Sequence, residues 1–356
     1  MQPFAEMAEL GHQQVLFCRD DRVGLRAIIA IHDTTLGPAL GGCRLWDYAS
    51  TQDALRDVLR LSRGMTYKAA VAGLDLGGGK SVIIGDRGVK SEALFRSFGR
   101  HIASLGGRYI TAEDMNTNVQ DMNWIRRETS FVTGASRFEG GSGDPSPVTA
   151  WGVFHGIRAC LEVVYGSADV RGRSIAIQGV GNVGYNLAKY VHERGGKVMV
   201  SDINSHHIAR AVEEFGAEVI EGGDFYAANC DVLAPCAVGG IINERTLPKV
   251  RAPIVCGGAN NILEDEERDG ELLVERGITY GPDYVVNAGG LMNVNAELRG
   301  WPEGKAMEDA EGIFDTVKRV LHKATAEGTT AVVASNRLAM ERIESVARLR
   351  RLHVPG

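Results

Sequence analysis

Apolar and polar residues follow two different periods in the first third of the chain, which predicts strands followed by a helix. Two short apolar runs rich in β-branched residues, residues 14–20 (QVLFCRD) and 25–34 (LRAIIAIHDT), are typical of strands. Residues 50–70 place their apolar side chains three and four positions apart, and Ser50 with Asp53 fits a capping box at the start of a helix. The predicted buried face of this helix is Leu55, Val58, Leu59 and Ser62.

The same kind of pattern continues to residue 107 and then stops. A strand is predicted over residues 80–86 (KSVIIGD), directly after a run of glycines, and a helix over residues 91–107, which ends at two glycines. Residues 133–150 (TGASRFEGGSGDPSPVTA) are rich in Gly, Ser and Pro. We therefore expect a domain boundary or hinge in that segment.

From about residue 147 onward the pattern is that of repeated βαβ units, which is typical of a parallel sheet. The predicted elements are strands over residues 174–178, 197–201, 231–236, 253–258 and 278–285, a helix over residues 183–194, and closing helices over residues 305–328 and 330–352. Periodicity alone does not assign the last helix to either domain.

The composition supports a globular protein of two domains. The chain has 356 residues, of which 44% are hydrophobic and 24% charged, with a net charge of -6, so nothing indicates nucleic-acid binding. No apolar run approaches the roughly 20 residues that cross a bilayer, and no signal-peptide pattern is present, so no membrane partner is expected. Six cysteines without a CxxC pair or zinc-like spacing favour a reducing cytoplasm and predict no metal site.

Gly179, Gly181 and Gly184 form a GxGxxG motif between a predicted strand and a predicted helix. In that context the first glycine permits a tight turn, the second lets the backbone approach a pyrophosphate, and the third lets the helix pack against the strand. The helix start would supply N–H groups for the phosphates. Asp202 ends the next strand and would accept hydrogen bonds from the ribose hydroxyls while repelling a 2′-phosphate. The motif therefore predicts NAD rather than NADP, the alternative being a glycine-rich turn without a ligand.

Lys80 follows three glycines in GLDLGGGKSVII, residues 73–84, and Lys68 lies shortly before them. A phosphate-binding P-loop is excluded, because the motif needs a glycine where Leu74 stands and because this run leads into a strand. We expect the glycines to let the chain bend tightly. An apolar setting and a second cation disfavour the ammonium form of Lys80, and a neutral lysine can act as a general base. A charged Lys68 could instead bind the carboxylate of a ligand. A surface turn with two solvated lysines is equally compatible with the spacing.

Glu113 and Asp114 end an apolar stretch in YITAEDMNTN, residues 109–118. The end of a strand is a common place for catalytic carboxylates. An aspartate there is also a common cap of the helix that follows, and the pattern leaves both interpretations open.

Several ordered segments carry a resemblance to a known family. They are IAIHDTTLGPALGG, LRLSRGMTYK, GLDLGGGKSVIIGD, RYITAEDMNTN, GDPSPVTAWGV, IQGVGNVGYNLAKY, APCAVGG, GGANN and PDYVVNAGGLMNV. Together they resemble the Glu/Leu/Phe/Val dehydrogenases, most closely the leucine, valine, phenylalanine and tryptophan members. The resemblance implies NAD-dependent oxidative deamination of an L-amino acid to its 2-oxo acid and ammonia, by a homo-oligomer.

The resemblance also implies a two-domain α/β fold with a cleft between the domains. Residues 1–140 would form an α/β domain for substrate binding and oligomerisation, and residues 141–327 a Rossmann-type NAD-binding domain. The last helix, residues 328–356, would pack back on the first domain. Hinges are expected near residues 140–147 and at Asn287–Gly290.

Individual residues acquire roles from the same resemblance. Lys68 would bind the substrate carboxylate with the backbone around Gly41 and Gly42, Lys80 would activate water, and Asp114 would carry a proton to and from the amino nitrogen. The substrate side chain would be lined by Leu40, Gly41, Met65, Ala112, Leu291 and Val294, with Asn260 and Asn261 between substrate and cofactor. The cofactor would be held by Thr149, which would orient the nicotinamide carboxamide, and by Gly179, Gly181, Asn182, Val183, Gly184, Asp202, Ile203, Ala237 and Asn260.

The amino acid itself is less clearly indicated. The pocket is apolar, so glutamate is not expected. LGPALGG and TAED resemble the leucine enzymes, whereas Cys43, MNTN and Leu291 resemble the phenylalanine and tryptophan enzymes. We favour a branched-chain substrate, with an aromatic one as the alternative. A non-catalytic NAD-sensing protein would have no use for the lysines and Asp114 together, and a hydroxy-acid dehydrogenase would use a histidine in a comparable motif.

Overall fold

A computed structural model describes residues 3–134, 143–220, 222–302 and 304–349. The chain divides into two compact units. The first unit consists of Met1–Asp144, Val294–Trp301 and Ala339–Gly356, and the second of Pro145–Asn293 and Pro302–Leu338. The expected domain boundary at residues 140/141, the first part of the expected hinge and the end of the expected last helix lie outside the described residues. Within these ranges every helix is too short or too polar to cross a bilayer.

The first unit is built on a five-stranded mixed sheet with the order β1-β2-β4-β3-β5. Its strands are β1 (Gln14–Asp20), β2 (Leu25–Asp33), β3 (Ala39–Trp46), β4 (Gly77–Ile84) and β5 (Tyr109–Glu113). Strand β2 is antiparallel to β1 and β4, whereas β3 is parallel to β4 and β5. The three parallel strands therefore point their carboxyl ends to the same edge of the sheet.

Helices cover both faces of this sheet. They are α1 (Pro3–Leu10), α2 (Thr51–Val71), α3 (Glu92–Ala103) and α4 (Val119–Arg126). The predicted face of α2 is buried, with Leu55, Val58 and Leu59 packed against Ile28 and Val82 of the sheet. Ser50 caps α2 as predicted, because its side chain accepts a hydrogen bond from the Asp53 amide. The opposite face of the sheet packs on aromatic side chains of α3 such as Phe95 and Phe98.

The glycine run before Lys80 is part of strand β4, so the expectation of a tight bend was wrong. Gly78 faces α2, and a Cβ atom there would lie 2.1 Å from the Thr66 hydroxyl and 2.2 Å from the Thr66 backbone nitrogen. On the other face, a Cβ at Gly79 would lie 2.7 Å from the Tyr109 ring. The glycines therefore let α2 and a tyrosine ring lie directly on the strand backbone.

Strand β3 was not predicted, although it lies between β4 and β5. Its sequence contains Gly41 and Gly42 after Pro38, a composition typical of a turn. Both glycines again allow close approach, since a Cβ at Gly41 would lie 1.7 Å from the Gly79 carbonyl oxygen.

The second unit is a six-stranded sheet with the order β11-β10-β9-β6-β7-β8, in which all neighbours are parallel. The strands are β6 (Ser174–Gln178), β7 (Lys197–Ser201), β8 (Glu218–Val219), β9 (Val232–Pro235), β10 (Ile254–Val255) and β11 (Thr279–Tyr280). The helices are α5 (Ser146–Tyr165), α6 (Asn182–Glu193), α7 (Ser205–Phe215), α8 (Glu266–Glu275), α9 (Asp283–Val286), α11 (Lys305–Glu311) and α12 (Ile313–Glu327). Helices α10 (Gly289–Arg299) and α13 (Ala331–Leu349) begin in the second unit and end in the first. This is the predicted Rossmann-type architecture, and the predicted βαβ unit of β6, α6 and β7 is confirmed.

Two expectations for the second unit were wrong, and one helix was not predicted. The strand expected over residues 278–285 ends at Tyr280, because Gly281 and Pro282 interrupt it and α9 begins at Asp283. The single helix expected over residues 305–328 is broken at Gly312 into α11 and α12. Helix α5 was missed because buried residues surround most of it, which removes the polar face that a periodicity analysis needs.

We predict that Gly78→Ala destabilises the protein, whereas Gly64→Ala does not. The new methyl group at position 78 would meet the Thr66 backbone, which cannot move aside, and overpacking of this kind costs about 1–3 kcal/mol. Gly64 is an exposed glycine inside α2 with open space around its Cβ, so alanine should add up to about 1 kcal/mol of stability. Thermal unfolding midpoints measure both, and an unchanged midpoint for Gly78→Ala would contradict the close packing of α2 on β4.

Candidate active site

Lys80 lies in the middle of β4 and is only 6% exposed. Side chains alternate along a strand, so Lys80 projects from the same face as Gly78, the face that α2 covers. The register of β3 on β4 pairs Cys43 with Ser81, which places Gly42 beside Lys80. A Cβ at Gly42 would lie 2.8 Å from the Cβ of Asp114. The missing side chain therefore leaves the space in which Lys80 and Asp114 meet.

Two cations contact one oxygen of Asp114. The Lys80 Nζ and the Arg44 Nε each lie 3.0 Å from Asp114 Oδ2. Burial by itself raises the pKa of Asp114, but the charges of Lys80 and Arg44 outweigh it and hold that pKa below its usual value. Asp114 is therefore a carboxylate at neutral pH, and the Lys80–Asp114 pair can pass a proton along a hydrogen bond.

Arg44 also contacts a second carboxylate. Its Nη1 donates to Asp57 Oδ2 on α2 at 2.9 Å, and the Tyr48 hydroxyl donates to the same oxygen at 2.6 Å. Arg44 and Asp57 were not predicted from the sequence. Arg44 lies two residues after Gly42, so the alternation of side chains along a strand would have placed both on the same face of the sheet. That prediction was possible only if β3 had been recognised as a strand.

The backbone of Asp114 is held by the loop after β5. The Thr117 hydroxyl accepts a hydrogen bond from the Asp114 amide at 2.9 Å and donates to the Cys43 carbonyl at 2.8 Å. Asn118 caps α4 in a capping box with Asp121, so the alternative that Asp114 caps this helix is wrong. Asp114 is thus held at both its backbone and its side chain.

Four more residues of the first unit that were expected at the substrate lie on this face of the sheet or on α2, which covers it. Leu40 pairs with Gly78 and Ala112 with Gly42, and these positions alternate onto the face that carries Lys80. Met65 and Lys68 are half-buried residues of α2 on either side of Thr66. The tyrosine hydroxyl of Tyr109 donates to the Gly41 carbonyl at 2.7 Å from the opposite face.

The predicted dinucleotide motif has the expected turn. Gly179 has a φ of +84°, and a Cβ there would lie 2.6 Å from the Cβ of Ala237, two residues after the end of β9. A Cβ at Gly184 would lie 1.9 Å from the Gly179 carbonyl oxygen, whereas Gly181 has open space around it. Helix α6 begins at Asn182 and Val183, and its N-cap residue Gly181 offers no side chain to its amides. A backbone-lined, uncapped helix start of this kind suits a pyrophosphate.

Asp202 follows β7 and is fixed by that turn. It accepts hydrogen bonds from the amides of Val180 at 2.7 Å and Asn204 at 2.8 Å, and His207 lies 3.3 Å away. Burial raises the pKa of Asp202, but these hydrogen bonds outweigh it and keep the pKa below its usual value. Ile203 next to it is fully exposed.

The remaining predicted positions lie in the loop after β10 and on helices α5 and α10. Asn260 follows β10 and accepts a hydrogen bond from the Asn287 amide at 2.7 Å, while Asn261 has a left-handed φ of 52°. Thr149, in the first turn of α5, donates to the Pro145 carbonyl at 3.0 Å. Leu291, which is buried, and half-buried Val294 lie about one turn apart on α10. In the described part of the chain, no group of three or more His, Cys, Asp or Glu residues is arranged to hold a metal ion.

Known proteins share both the sequence and the fold of this chain. A model of the Glu/Leu/Phe/Val dehydrogenase dimerisation domain matches residues 12–131, and a model of the glutamate/leucine/phenylalanine/valine dehydrogenases matches residues 140–206 and 200–351. Leucine dehydrogenase of Geobacillus stearothermophilus is 52% identical over 98% of this chain and 95% of its own length. L-Tryptophan dehydrogenase of Nostoc punctiforme is 46% identical over 97% of both chains.

A solved structure agrees with these matches. The crystal structure of L-tryptophan dehydrogenase from Nostoc punctiforme superimposes with a TM-score of 0.88 at 44% identity, covering 96% of this chain and 99% of that one. The chain belongs to the Glu/Leu/Phe/Val dehydrogenase family. The resemblance found in the sequence is therefore confirmed, and so is the two-domain α/β fold with a Rossmann-type domain.

For this dehydrogenase we predict that Asp114→Asn lowers stability at neutral pH and has less effect in acid. The substitution leaves two cations without their shared carboxylate, which costs roughly 3 kcal/mol for a pair this buried. Because the folded-state pKa of Asp114 is lowered, its contribution is full above the unfolded value of about 3.9 and is lost as the pH falls below it. Urea unfolding midpoints of Asp114→Asn and of the unaltered protein, determined between pH 7 and pH 3, measure the difference in stability.

Asp21→Asn is the matched control, because Asp21 pairs with Arg19 but is 74% exposed at the side chain, and it should change the midpoint little at any pH. A difference between Asp114→Asn and the parent that stays constant down to pH 3 would contradict the ion-pair account.

Proposed function

We propose that this protein catalyses the reversible, NAD-dependent oxidative deamination of an apolar L-amino acid, with branched-chain substrates preferred. The observation that carries the proposal is the Lys80–Asp114 pair, buried on a sheet face that glycines keep clear. A pair of this kind joins a base and a proton carrier at hydrogen-bond distance, as the chemistry requires. Membership of an amino acid dehydrogenase family supports the same reaction.

The residues after β6 and β7 fit NAD. The uncapped start of α6 would bind the pyrophosphate, and the open space at Gly181 leaves room for it. Asp202 would bind the ribose hydroxyls, and its charge would repel the 2′-phosphate of NADP. Thr149, Asn260 and Ala237 are the proposed contacts at the nicotinamide end of the cofactor. When bound, NAD supplies the acceptor for the hydride that leaves the substrate Cα.

The residues of the first unit would do the proton chemistry. Lys68 would hold the substrate carboxylate together with the backbone at Gly41 and Gly42. Asp114 would remove a proton from the amino group and later return one to the departing ammonia. Lys80 would take a proton from the water that attacks the imine, and its positive charge would stabilise the tetrahedral adduct. Because both cations contact Asp114 Oδ2, we assign the transfer to and from nitrogen to Oδ1.

The side chain of the substrate would meet only apolar groups. Leu40, Met65, Ala112, Leu291 and Val294 offer no charge to a second carboxylate, which argues against glutamate. The leucine dehydrogenase relative is more similar to this chain than the tryptophan dehydrogenase relative, which favours a branched-chain substrate. Aromatic amino acids are the second candidate, because a tryptophan enzyme is also a close relative. Pockets discriminate by size weakly, at about 1–3 kcal/mol per methylene, so overlapping use is expected.

A homo-oligomer in the cytoplasm is the proposed setting. The family model that matches residues 12–131 describes a dimerisation domain. The six cysteines are all thiols, and five of them are buried, which suits a reducing compartment.

We predict NADH formation with leucine, valine and isoleucine at alkaline pH, weaker formation with phenylalanine and tryptophan, and none above background with glutamate. NADP should be at least tenfold poorer than NAD, since repulsion by Asp202 of about 1.4 kcal/mol gives that factor. Absorbance of the reduced cofactor measures both comparisons. Activity confined to glutamate would contradict the apolar pocket, and higher activity with phenylalanine or tryptophan would favour the aromatic alternative.

We predict that Lys80→Ala abolishes deamination while NAD still binds, because the substitution removes the proposed base and leaves the second unit unchanged. The expected loss in kcat is at least 100-fold, the smaller end of what general acid–base catalysis supplies. Steady-state kinetics and calorimetric titration of NAD give the two readings.

Lys249→Ala, which removes an exposed lysine of the second unit, is the control and should leave both readings unchanged. Near-normal turnover by Lys80→Ala would exclude the proposed role. Binding of NAD without turnover in the unaltered protein would instead support a non-catalytic NAD sensor.

A further inference from the structure

Arg44 is a half-buried arginine between two carboxylates, and the proposed reaction gives it no direct part. Its Nε contacts Asp114 Oδ2 at 3.0 Å and its Nη1 contacts Asp57 Oδ2 at 2.9 Å. The three side chains are 17%, 21% and 16% exposed. An arginine held in this way on two sides has little freedom to turn.

We propose that Arg44, anchored by Asp57 and Tyr48, is a positioning residue that fixes the carboxylate of Asp114 for proton transfer. This inference rests on the proposed function, because it takes Asp114 as the group that exchanges a proton with the substrate nitrogen.

The anchor is rigid because each member has a second contact. The guanidinium is planar, so a fixed Nη1 determines the direction in which Nε points. Asp57 belongs to α2, and the Tyr48 hydroxyl donates to the same oxygen that Arg44 contacts, at 2.6 Å. Burial and the neighbouring Asp57 raise the pKa of Tyr48, so the phenol stays protonated and remains a donor. Through this chain of contacts, α2 determines where the Asp114 carboxylate points.

A permanent cation is needed beside Asp114 for a second reason. Lys80 is proposed to exchange a proton during the reaction, so its positive charge is not constant. An arginine does not lose its proton at accessible pH, which means that Arg44 keeps one positive charge on Asp114 throughout the cycle. If both cations could become neutral, burial would favour the protonated carboxyl, which cannot accept a proton from the substrate.

The groups facing Asp114 support this division of roles. Lys80 approaches from β4 and Arg44 from β3, and α2 contributes Asp57 through Arg44. The buried thiol of Cys43 and the phenol of Tyr109 also interact with Asp114, but burial raises the pKa of Cys43 to about 12 and raises that of Tyr109 as well. Neither group ionises near neutral pH, so Lys80 and Arg44 are the cations that set the charge state of Asp114.

The test compares Arg44→Gln with Arg60→Gln in the full-length protein. Arg60 contacts the other oxygen of Asp57 at 3.2 Å, but its side chain is 68% exposed, so it is a matched control on the same anchor. With Arg44→Gln, the acidic limb of the pH profile of kcat/KM should move up by about one pH unit or more, because the site loses a positive charge that favours the proton-accepting forms of both its lysine base and its carboxylate. Arg60→Gln should leave the limb in place. Tyr48→Phe, which removes one hydrogen bond and no charge, should move the limb in the same direction by less.

Titration of the Asp114 carboxyl gives a reading that does not depend on turnover. In protein labelled with [4-¹³C]aspartate, the Asp114 signal is assigned by its loss in Asp114→Asn, and its midpoint should rise in Arg44→Gln but not in Arg60→Gln. A lower kcat in Arg44→Gln with an unchanged limb and an unchanged carboxyl midpoint would overturn the inference and leave Arg44 a structural residue. If Arg44→Gln does not fold, an unchanged limb and midpoint in Tyr48→Phe would overturn it instead.

The same set of variants separates this inference from the proposed function. Full deamination by Asp114→Asn would refute the role of Asp114 in the reaction, whatever Arg44→Gln does to the carboxyl titration. Loss of activity in Asp114→Asn together with an unchanged titration in Arg44→Gln would refute only the role of Arg44.

Discussion

Helix α2 lies directly on the backbone of β4, and the candidate site depends on that contact. Thr66 occupies the space that a side chain at position 78 would fill, so α2 can approach this closely only where the strand has no side chain. Met65 and Lys68 lie on either side of Thr66, and Lys80 lies two residues beyond Gly78 on the same face. The approach of one helix to one strand therefore brings substrate-binding and catalytic candidates from distant parts of the chain to the same face of the sheet.

Charge balance is the second constraint on that face. Lys80 and Arg44 bring two positive charges to a buried region, and such charges are tolerated only when they are paired and hydrogen-bonded. Asp114 and Asp57 supply two negative charges, and Gly42 leaves the room in which they meet the cations. The arrangement keeps Asp114 ionised in spite of its burial, which is the state a proton acceptor needs. Stability and the proposed catalysis therefore depend on the same four side chains.

Much of this could be predicted from the sequence, and what could not has physical causes. The Rossmann unit was predicted because its strand, glycine turn, helix and acid follow one another within one short stretch of chain. Lys80 was found through its glycines, but their role was misjudged, because the sequence cannot show which distant helix fills the space they leave. Strand β3 was missed since Gly41 and Gly42 are typical of turns, and Arg44 was missed with it. The family resemblance supplied Asp114, whereas its link to Asp57 required the packing of α2 on the sheet.

The most direct test of the central claim is a crystal structure of the protein with NADH and a branched-chain 2-oxo acid in the absence of ammonia, where no turnover can occur. The account predicts that the carboxylate of the oxo acid contacts Lys68 and that its carbonyl group lies within about 3.5 Å of Lys80 Nζ, with Asp114 still paired to Arg44. An oxo acid bound elsewhere, with the Lys80–Asp114 pair out of contact with it, would contradict the account.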